Sequence, residues 1–134
     1  MNDADRRQLL DEVDRPGATV GKAVPERVTV QGESLALREF VFEAKRHEVV
    51  PDDLEEEVEE TKRELRRERL RRYQRTEREE LSVEEGRRLV DSIHGIDRAL
   101  NALSTLEPVD LEDEMRDAAV ESHREWFSFL RQIL

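Results

Sequence analysis

The sequence predicts a mainly α protein of about five helices, with a small β-hairpin near the N-terminus and a long antiparallel helix pair in the middle. Three observations support this fold class. Apolar residues recur at intervals of three and four over most of the 134-residue chain, which is the period of an amphipathic helix. One short stretch around Gln31-Gly32 alternates with a period of two, as paired strands do. Polar breaks that contain proline or a capping residue separate the helical stretches.

The N-terminal helix is expected over about residues 3–14. Leu9, Leu10 and Val13 form a short apolar stripe there. Pro16-Gly17 marks its end, because neither residue continues a helix well.

The hairpin is predicted between residues 18 and 37. The segments Val28-Thr29-Val30 and Leu35-Ala36-Leu37 flank Gln31-Gly32, where glycine supplies the positive φ of a tight turn. A segment near Thr19-Val20 is a candidate for a third strand.

Two helices follow the hairpin. The first is predicted over about residues 37–49 with Pro51 as its stop, and its apolar face comprises Leu37, Phe40, Val41 and Ala44. The second, over about residues 54–80, is the longest element and begins at Asp52 or Asp53 as its cap. Its narrow apolar stripe comprises Leu54, Val58, Thr61, Leu65 and Tyr73.

The remaining helices begin at recognisable caps. Ser82 with Glu85 is a capping box for a helix that extends to about residue 106. The apolar face of that helix comprises Leu89, Ile93, Ile96, Leu100 and Leu103. After Pro108, Asp110 caps a last helix whose apolar face begins at Leu111, includes the aromatic residues Trp126 and Phe129, and ends at Ile133. No repeat or linker marks a second domain, so we expect a single domain over residues 1–134.

The balance of charges predicts a protein adapted to concentrated salt. Asp and Glu number 34 against 23 Lys and Arg, only three of the basic residues are lysine, and the formal net charge is −11. Surface carboxylates hold water and cations, and a high net charge opposes association. The chain has no cysteine, which excludes disulfides and thiolate sites. No apolar run approaches 18 residues, so we expect a cytoplasmic protein without a membrane span.

The longest helix is strongly polarised. Residues 52–60 contain seven acids and no base, whereas residues 62–78 contain nine basic residues and three glutamates. Such a distribution complements the helix dipole, and Glu59–Arg63 and Glu68–Arg72 have the spacing of intrahelical ion pairs. The alternative interpretation is a helix that binds phosphates or an acidic protein. Its candidate binding residues are Arg66, Arg67, Arg69, Arg71, Arg72 and Arg75.

A second candidate site is polar rather than basic. An enzyme would need convergent groups in a closed pocket, and the candidates are Arg38, Arg46, Asp97, Arg98 and Asn101. The chain has no phosphate-binding glycine loop and no nucleophile elbow. His47, His94 and His123 lack metal-ligand spacing. We therefore expect no catalytic residue, no metal and no cofactor.

Several segments resemble a family of short acidic proteins from halophilic archaea, which is classed as a domain of unknown function. The segments are residues 17–21 (GATVG), 37–43 (LREFVFE), 65–69 (LRRER) and 95–103 (GIDRALNAL). The resemblance covers most of the chain. It implies a halophilic cytoplasm and carries no catalytic residues.

We therefore predict a non-enzymatic interaction or assembly protein of a halophilic cytoplasm. The alternative is a nucleic-acid or ribosome-associated binder that uses residues 62–78 of the arginine-rich helix. The expected partner is a second copy in a C₂ dimer or another protein. A helix of about 27 residues is about 40 Å long, so its end extends beyond a compact core of this size and would need a partner to cover it. Leu65, Leu70 and Tyr73 are the apolar positions that this projection would leave uncovered.

Overall fold

The structure, a computed structural model, describes residues 1–47 and 51–105. These residues form α1 (Asp3–Val13), β1 (Val28–Val30), β2 (Glu33–Leu35), α2 (Leu37–Lys45), α3 (Asp52–Arg78) and α4 (Val83–Ser104). The mainly helical fold class with an N-terminal hairpin is thus confirmed. The count of about five helices is slightly off, since the described residues form four. The predicted last helix, with Trp126 and Phe129, lies outside the described residues.

Helices α3 and α4 form the central antiparallel pair. Only residues 79–82 connect them, and so short a connection makes consecutive helices antiparallel neighbours. The buried side chains agree, because Leu54 near the start of α3 shares a core cluster with Leu103 near the end of α4. At the opposite end of the pair, Tyr73 of α3 packs against the cluster that contains Val90 of α4.

The N-termini of α3 and α4 are capped in different ways. Ser82 accepts a hydrogen bond from the Glu85 amide at 3.1 Å, and the Glu85 carboxylate accepts one from the Ser82 amide at 3.3 Å. The predicted capping box is therefore confirmed. The predicted aspartate cap of α3 is wrong, because Pro51 is the N-cap and makes no side-chain cap. Asp52 and Asp53 lie inside the first turn, where their negative charges interact favourably with the positive end of the helix dipole.

The hairpin has the predicted turn. Val28 pairs with Leu35 and Val30 with Glu33, and Gln31 and Gly32 both have positive φ, 51° and 81°. Two residues in the left-handed region give a turn whose twist matches that of antiparallel strands. Residues 19–20 lie in turns, so the predicted third strand near Thr19-Val20 is wrong. The chain there reverses within a few residues through hydrogen bonds such as Val20 N to Gly17 O.

Helix α1 packs on one end of the central pair. Leu9 and Val13 of α1 are buried against Val90 and Ile93 of α4. Arg6 satisfies carbonyls at the end of α3, since Nη1 donates to Thr76 O at 2.6 Å and Nη2 to Glu79 O at 2.8 Å. These contacts hold the first helix against the end of the third.

The buried residues confirm the predicted apolar face of α2, whereas Leu65 of α3 and Leu100 of α4 differ from the predictions. The four apolar residues of α2 are all buried, although the helix ends at Lys45 rather than near residue 49. Leu65 is fully buried, contrary to the expectation that the second half of α3 leaves it uncovered. The reason is that Leu65 belongs to the main core cluster, together with Val28 of β1 and Ile96 of α4. On α4 the buried face is centred on Ile93, Ile96 and Leu103, and Leu100 is only partly buried.

Candidate functional site

The predicted arginines of α3 fall into two groups that differ in what they contact. One group consists of Arg69, Arg72 and Arg75, which all make ion pairs. The other consists of Arg66, Arg67 and Arg71, which are exposed and make no ion pair with any residue of 1–47 or 51–105. The two groups point in different directions because α3 turns by about 100° per residue.

Arg69 joins three helices. Its Nε donates to Asp97 Oδ1 of α4 at 2.6 Å, and its Nη2 donates to Asp14 Oδ1 after α1 at 2.8 Å. Partial burial by itself lowers the pKa of Arg69. The hydrogen bonds to Asp97 and Asp14 and the negative charges of both carboxylates outweigh it, so the pKa lies above the ordinary arginine value. The side chain is a structural tie and is not available to a ligand.

Arg72 joins α3 to the hairpin. Its Nε donates to Glu68 Oε1 at 3.0 Å, which confirms the predicted Glu68–Arg72 pair, and its Nη2 donates to Thr29 O at 3.1 Å. Only 15% of the Arg72 side chain and 10% of the Glu68 side chain are exposed. Arg75 bonds Glu79 Oε2 at 3.1 Å. None of these three arginines therefore offers an unpaired guanidinium.

The outward side of α3 carries a different set, which we call the arginine face: Arg63, Arg66, Arg67, Leu70 and Arg71. All five side chains are exposed, and Leu70 keeps 55% of its surface accessible. Within the residues that the structure describes, none of the four arginines makes a hydrogen bond or ion pair. Four neighbouring positive charges repel one another, so this face favours a partner that supplies negative charge.

The same side of α3 is acidic nearer its N-terminus. We call Asp52, Glu55, Glu56 and Glu59 the acidic face, and these residues with Glu60 and Arg63 line a hollow of about 670 Å³. Their spacing of three and four places them on one side of the helix, and the same spacing continues from Glu59 to Arg63. The predicted Glu59–Arg63 pair is wrong, because Glu59 Oε1 instead accepts from Lys62 Nζ at 3.1 Å. That leaves Arg63 without an acid partner in the described chain.

The residues of the candidate polar site lie on α2, at its C-cap and on α4. Arg38 donates to Val24 O at 2.9 Å and Arg46 pairs with Glu43 at 3.0 Å, both on the α2 side of the fold. Asp97 is held by Arg69, and Arg98 and Asn101 follow it on α4. These five residues make no hydrogen bond with one another in the described chain. A site formed by them stays a prediction.

His94 is the one strongly buried histidine of the described part of the chain, with 6% of its surface exposed. Its Nε2 lies 2.9 Å from Glu12 O. Because a carbonyl only accepts, Nε2 donates in this hydrogen bond, and the buried Nδ1 has no hydrogen-bond partner among the described residues. No group of three or more metal-ligating side chains occurs among the described residues. None of the described helices is both long and apolar enough to cross a membrane.

The described residues define a mainly α-helical protein with an N-terminal hairpin. The outward side of its helix α3 is acidic toward the N-terminus and rich in arginine further along. The sequence model of a family of unknown function, DUF5788, matches residues 1–131. The chain therefore belongs to that family. Comparisons with curated proteins and with solved structures gave no match.

Sequence reasoning missed the division of the arginines, although the signal is present in the spacing. Arg69 and Arg72 lie four and seven residues after Leu65, a core position, and therefore on the inward side. Arg66 and Arg67 lie one and two residues after it and turn outward. Counting from a buried leucine separates structural arginines from those that are available for binding.

Proposed function

We propose that this protein is a non-enzymatic interaction or assembly module of a halophilic cytoplasm, and that the arginine face of α3 is the surface that contacts its partner. The observation that carries the proposal is the contrast within one helix. Arg69, Arg72 and Arg75 are ion-paired, whereas the four arginines around Leu70 have no acid partner among the described residues. Arginine beside an exposed apolar residue is a frequent composition of protein–protein interfaces.

The acidic composition supports the environmental part of the proposal. A net charge of −11 with three lysines fits a solvent in which cations are abundant. At about 1 M salt the Debye length is about 3 Å, so only charges in direct contact retain their attraction. A partner of the arginine face would therefore have to meet it closely.

Photo-crosslinking tests the surface directly. Leu70 is replaced by p-benzoylphenylalanine, and Val20, which is 82% exposed, is replaced in a matched control. Irradiation in a halophilic lysate at molar KCl should give a discrete protein adduct from position 70 and none from position 20. Adducts at both positions, or none at position 70, would contradict the proposal.

Nucleic-acid binding through the arginine face is the second candidate function. Exposed arginines without acid partners also suit phosphates. Magnitude argues against it in concentrated salt, because neutralising four phosphates would weaken binding roughly 10⁵-fold between about 0.15 M and about 3 M salt. The adjoining acidic face would repel the same backbone.

Fluorescence anisotropy with labelled single-stranded and duplex oligonucleotides tests this alternative. We expect weak binding at 0.1 M KCl that disappears in an Arg66→Glu/Arg67→Glu/Arg71→Glu variant. Arg69 and Arg72 are left intact in this variant because they hold the fold together. Tight binding that persists at 2 M KCl would make nucleic acid the leading function.

A further inference from the structure

We propose that the partner of the arginine face is the acidic face of a second copy of this chain, so that two α3 helices pack antiparallel about a two-fold axis. This inference rests on the proposed function, in which the arginine face contacts a partner. It goes further by naming that partner and its register.

Charge complementarity on one helix side carries the inference. Both faces lie on the outward side of α3 and follow one another along the helix. Glu56 and Arg66 are ten positions apart, or about 15 Å at 1.5 Å per residue. Intrahelical ion pairs join residues three or four apart, so the two cannot pair within one helix. Asp52, Glu55 and Glu56 make no ion pair with described residues, and neither do the four arginines of the arginine face.

An antiparallel second copy brings the two faces together with one register. The two-fold axis crosses the outward side of α3 at the level of residue 61 along the helix. Arg66 and Arg67 of each copy then lie opposite Glu55 and Glu56 of the other. Arg63 then lies opposite Glu59, and Leu70 lies opposite Asp52. A two-fold interface is self-complementary, so every such contact occurs twice. A parallel arrangement would place acid against acid and arginine against arginine.

The size of the face indicates a weak dimer. A helix of this length and about 10 Å width offers about 400 Å² per copy, or about 800 Å² in total. Stable interfaces bury about 1,200–2,000 Å². We therefore expect a dissociation constant in the micromolar range or weaker, and measurements must extend to several hundred micromolar.

Charge reversal with complementation tests the pairing. One variant carries Arg66→Glu/Arg67→Glu and the other Glu55→Arg/Glu56→Arg. Sedimentation equilibrium is run on the full chain at the lowest KCl concentration that gives complete helical circular dichroism. The wild type should form a dimer of twice the 15.8 kDa chain mass. Each variant alone should be monomeric, because like charges face each other, and their equimolar mixture should dimerise again.

A matched control separates the face from total charge. Arg7→Glu/Arg88→Glu changes the charge by the same amount at exposed positions on α1 and α4, and it should leave the dimer intact. A monomeric wild type, variants that still dimerise with themselves, or a mixture that stays monomeric would each overturn the inference. If the wild type is monomeric but position 70 crosslinks a different protein, the proposed function stands and this inference falls.

A distance measurement tests the register without altering charge. The chain has no cysteine, so Gln74→Cys carries a single spin label just beyond the arginine face. With an axis near residue 61, the two labels should lie about 39 Å apart along the helix direction. A parallel pair would bring them to roughly 10 Å, the spacing of packed helices, and that result would exclude the antiparallel arrangement.

Discussion

Arg69 of α3 donates a hydrogen bond to Asp97 of α4 across 2.6 Å, and the Asp97 side chain is only 22% exposed. The same guanidinium reaches Asp14 at the end of α1. One side chain therefore ties together three helices, through partners that lie 28 and 55 residues away in the sequence.

Removing this tie should destabilise the protein. Arg69→Ala leaves the partly buried Asp97 without its donor, and we expect the free energy of unfolding to fall by about 1–3 kcal/mol. Arg66→Ala is a matched control, since it lies on the same helix and makes no ion pair among the described residues. It should change the free energy by less than about 0.5 kcal/mol. Chemical denaturation in molar KCl measures both, and equal effects would show that the tie contributes nothing.

The pH dependence of this tie follows from the raised pKa of Arg69. A cation whose folded pKa exceeds its unfolded value stabilises the fold at every pH below the unfolded value, which for arginine lies far above neutral pH. The stability is lost only as the pH rises through the folded pKa. The difference between wild type and Arg69→Ala should therefore stay constant from pH 7 to pH 10. A difference that shrinks steadily across this range would contradict the assignment.

Gly86 of α4 and Leu9 of α1 approach so closely that a methyl group at position 86 would lie 2.7 Å from Leu9 Cδ1. Overpacking costs about 1–3 kcal/mol, whereas exchanging glycine for alanine in a helix gains about 1 kcal/mol. Gly86→Ala should therefore destabilise the wild type slightly. In a Leu9→Val background, which removes Cδ1, the same substitution should stabilise. Thermal unfolding of the four proteins measures the sign in each background, and the same sign in both would refute the close contact.

The buried face of α4 can be checked by two truncations. Ile96 is fully buried, so Ile96→Ala should cost about 2–5 kcal/mol. Leu100 is only partly buried against the core, so Leu100→Ala should cost distinctly less. Paired urea denaturation compares them. A larger loss at position 100 would mean that the face is rotated from the one described.

Folding should depend on salt. Seven acids crowd residues 52–60, and their repulsion is screened as the Debye length shortens to about 3 Å at 1 M. Helical circular dichroism and the thermal midpoint should both rise between 0.1 M and molar KCl. A variant with Asp52→Asn, Glu55→Gln and Glu56→Gln should show a smaller rise. A flat response of the wild type would count against the salt adaptation.

The sequence predicts the elements whose signals are local. Ser82 and Glu85 define the start of α4 by their own hydrogen bonds, and Gln31-Gly32 defines the hairpin because the turn needs left-handed residues. The face of α2 follows from four apolar residues at helical spacing. Each of these features depends on atoms a few residues apart.

Features that depend on distant contacts escape such reasoning. Asp52 and Asp53 look like caps, but the N-cap is Pro51 and both aspartates lie inside the helix. Leu65 looks uncovered when helix length alone is considered, yet it lies in one core cluster with Val28 of β1 and Ile96 of α4. The pairing of Arg69 joins positions 28 and 55 residues apart, and no local pattern encodes it.

Arg6, Arg38 and Arg72 all donate to main-chain carbonyls, and Arg6 spans Thr76 and Glu79 at once. A guanidinium has donors on several nitrogens in a fixed plane, whereas an ammonium is a compact point charge. Mutational drift from arginine to lysine would keep the charge count but lose the separate donor nitrogens with which Arg6 bonds two carbonyls at once. Part of the scarcity of lysine is thus a constraint that the backbone imposes on how the sequence can evolve, whatever the salinity of its surroundings.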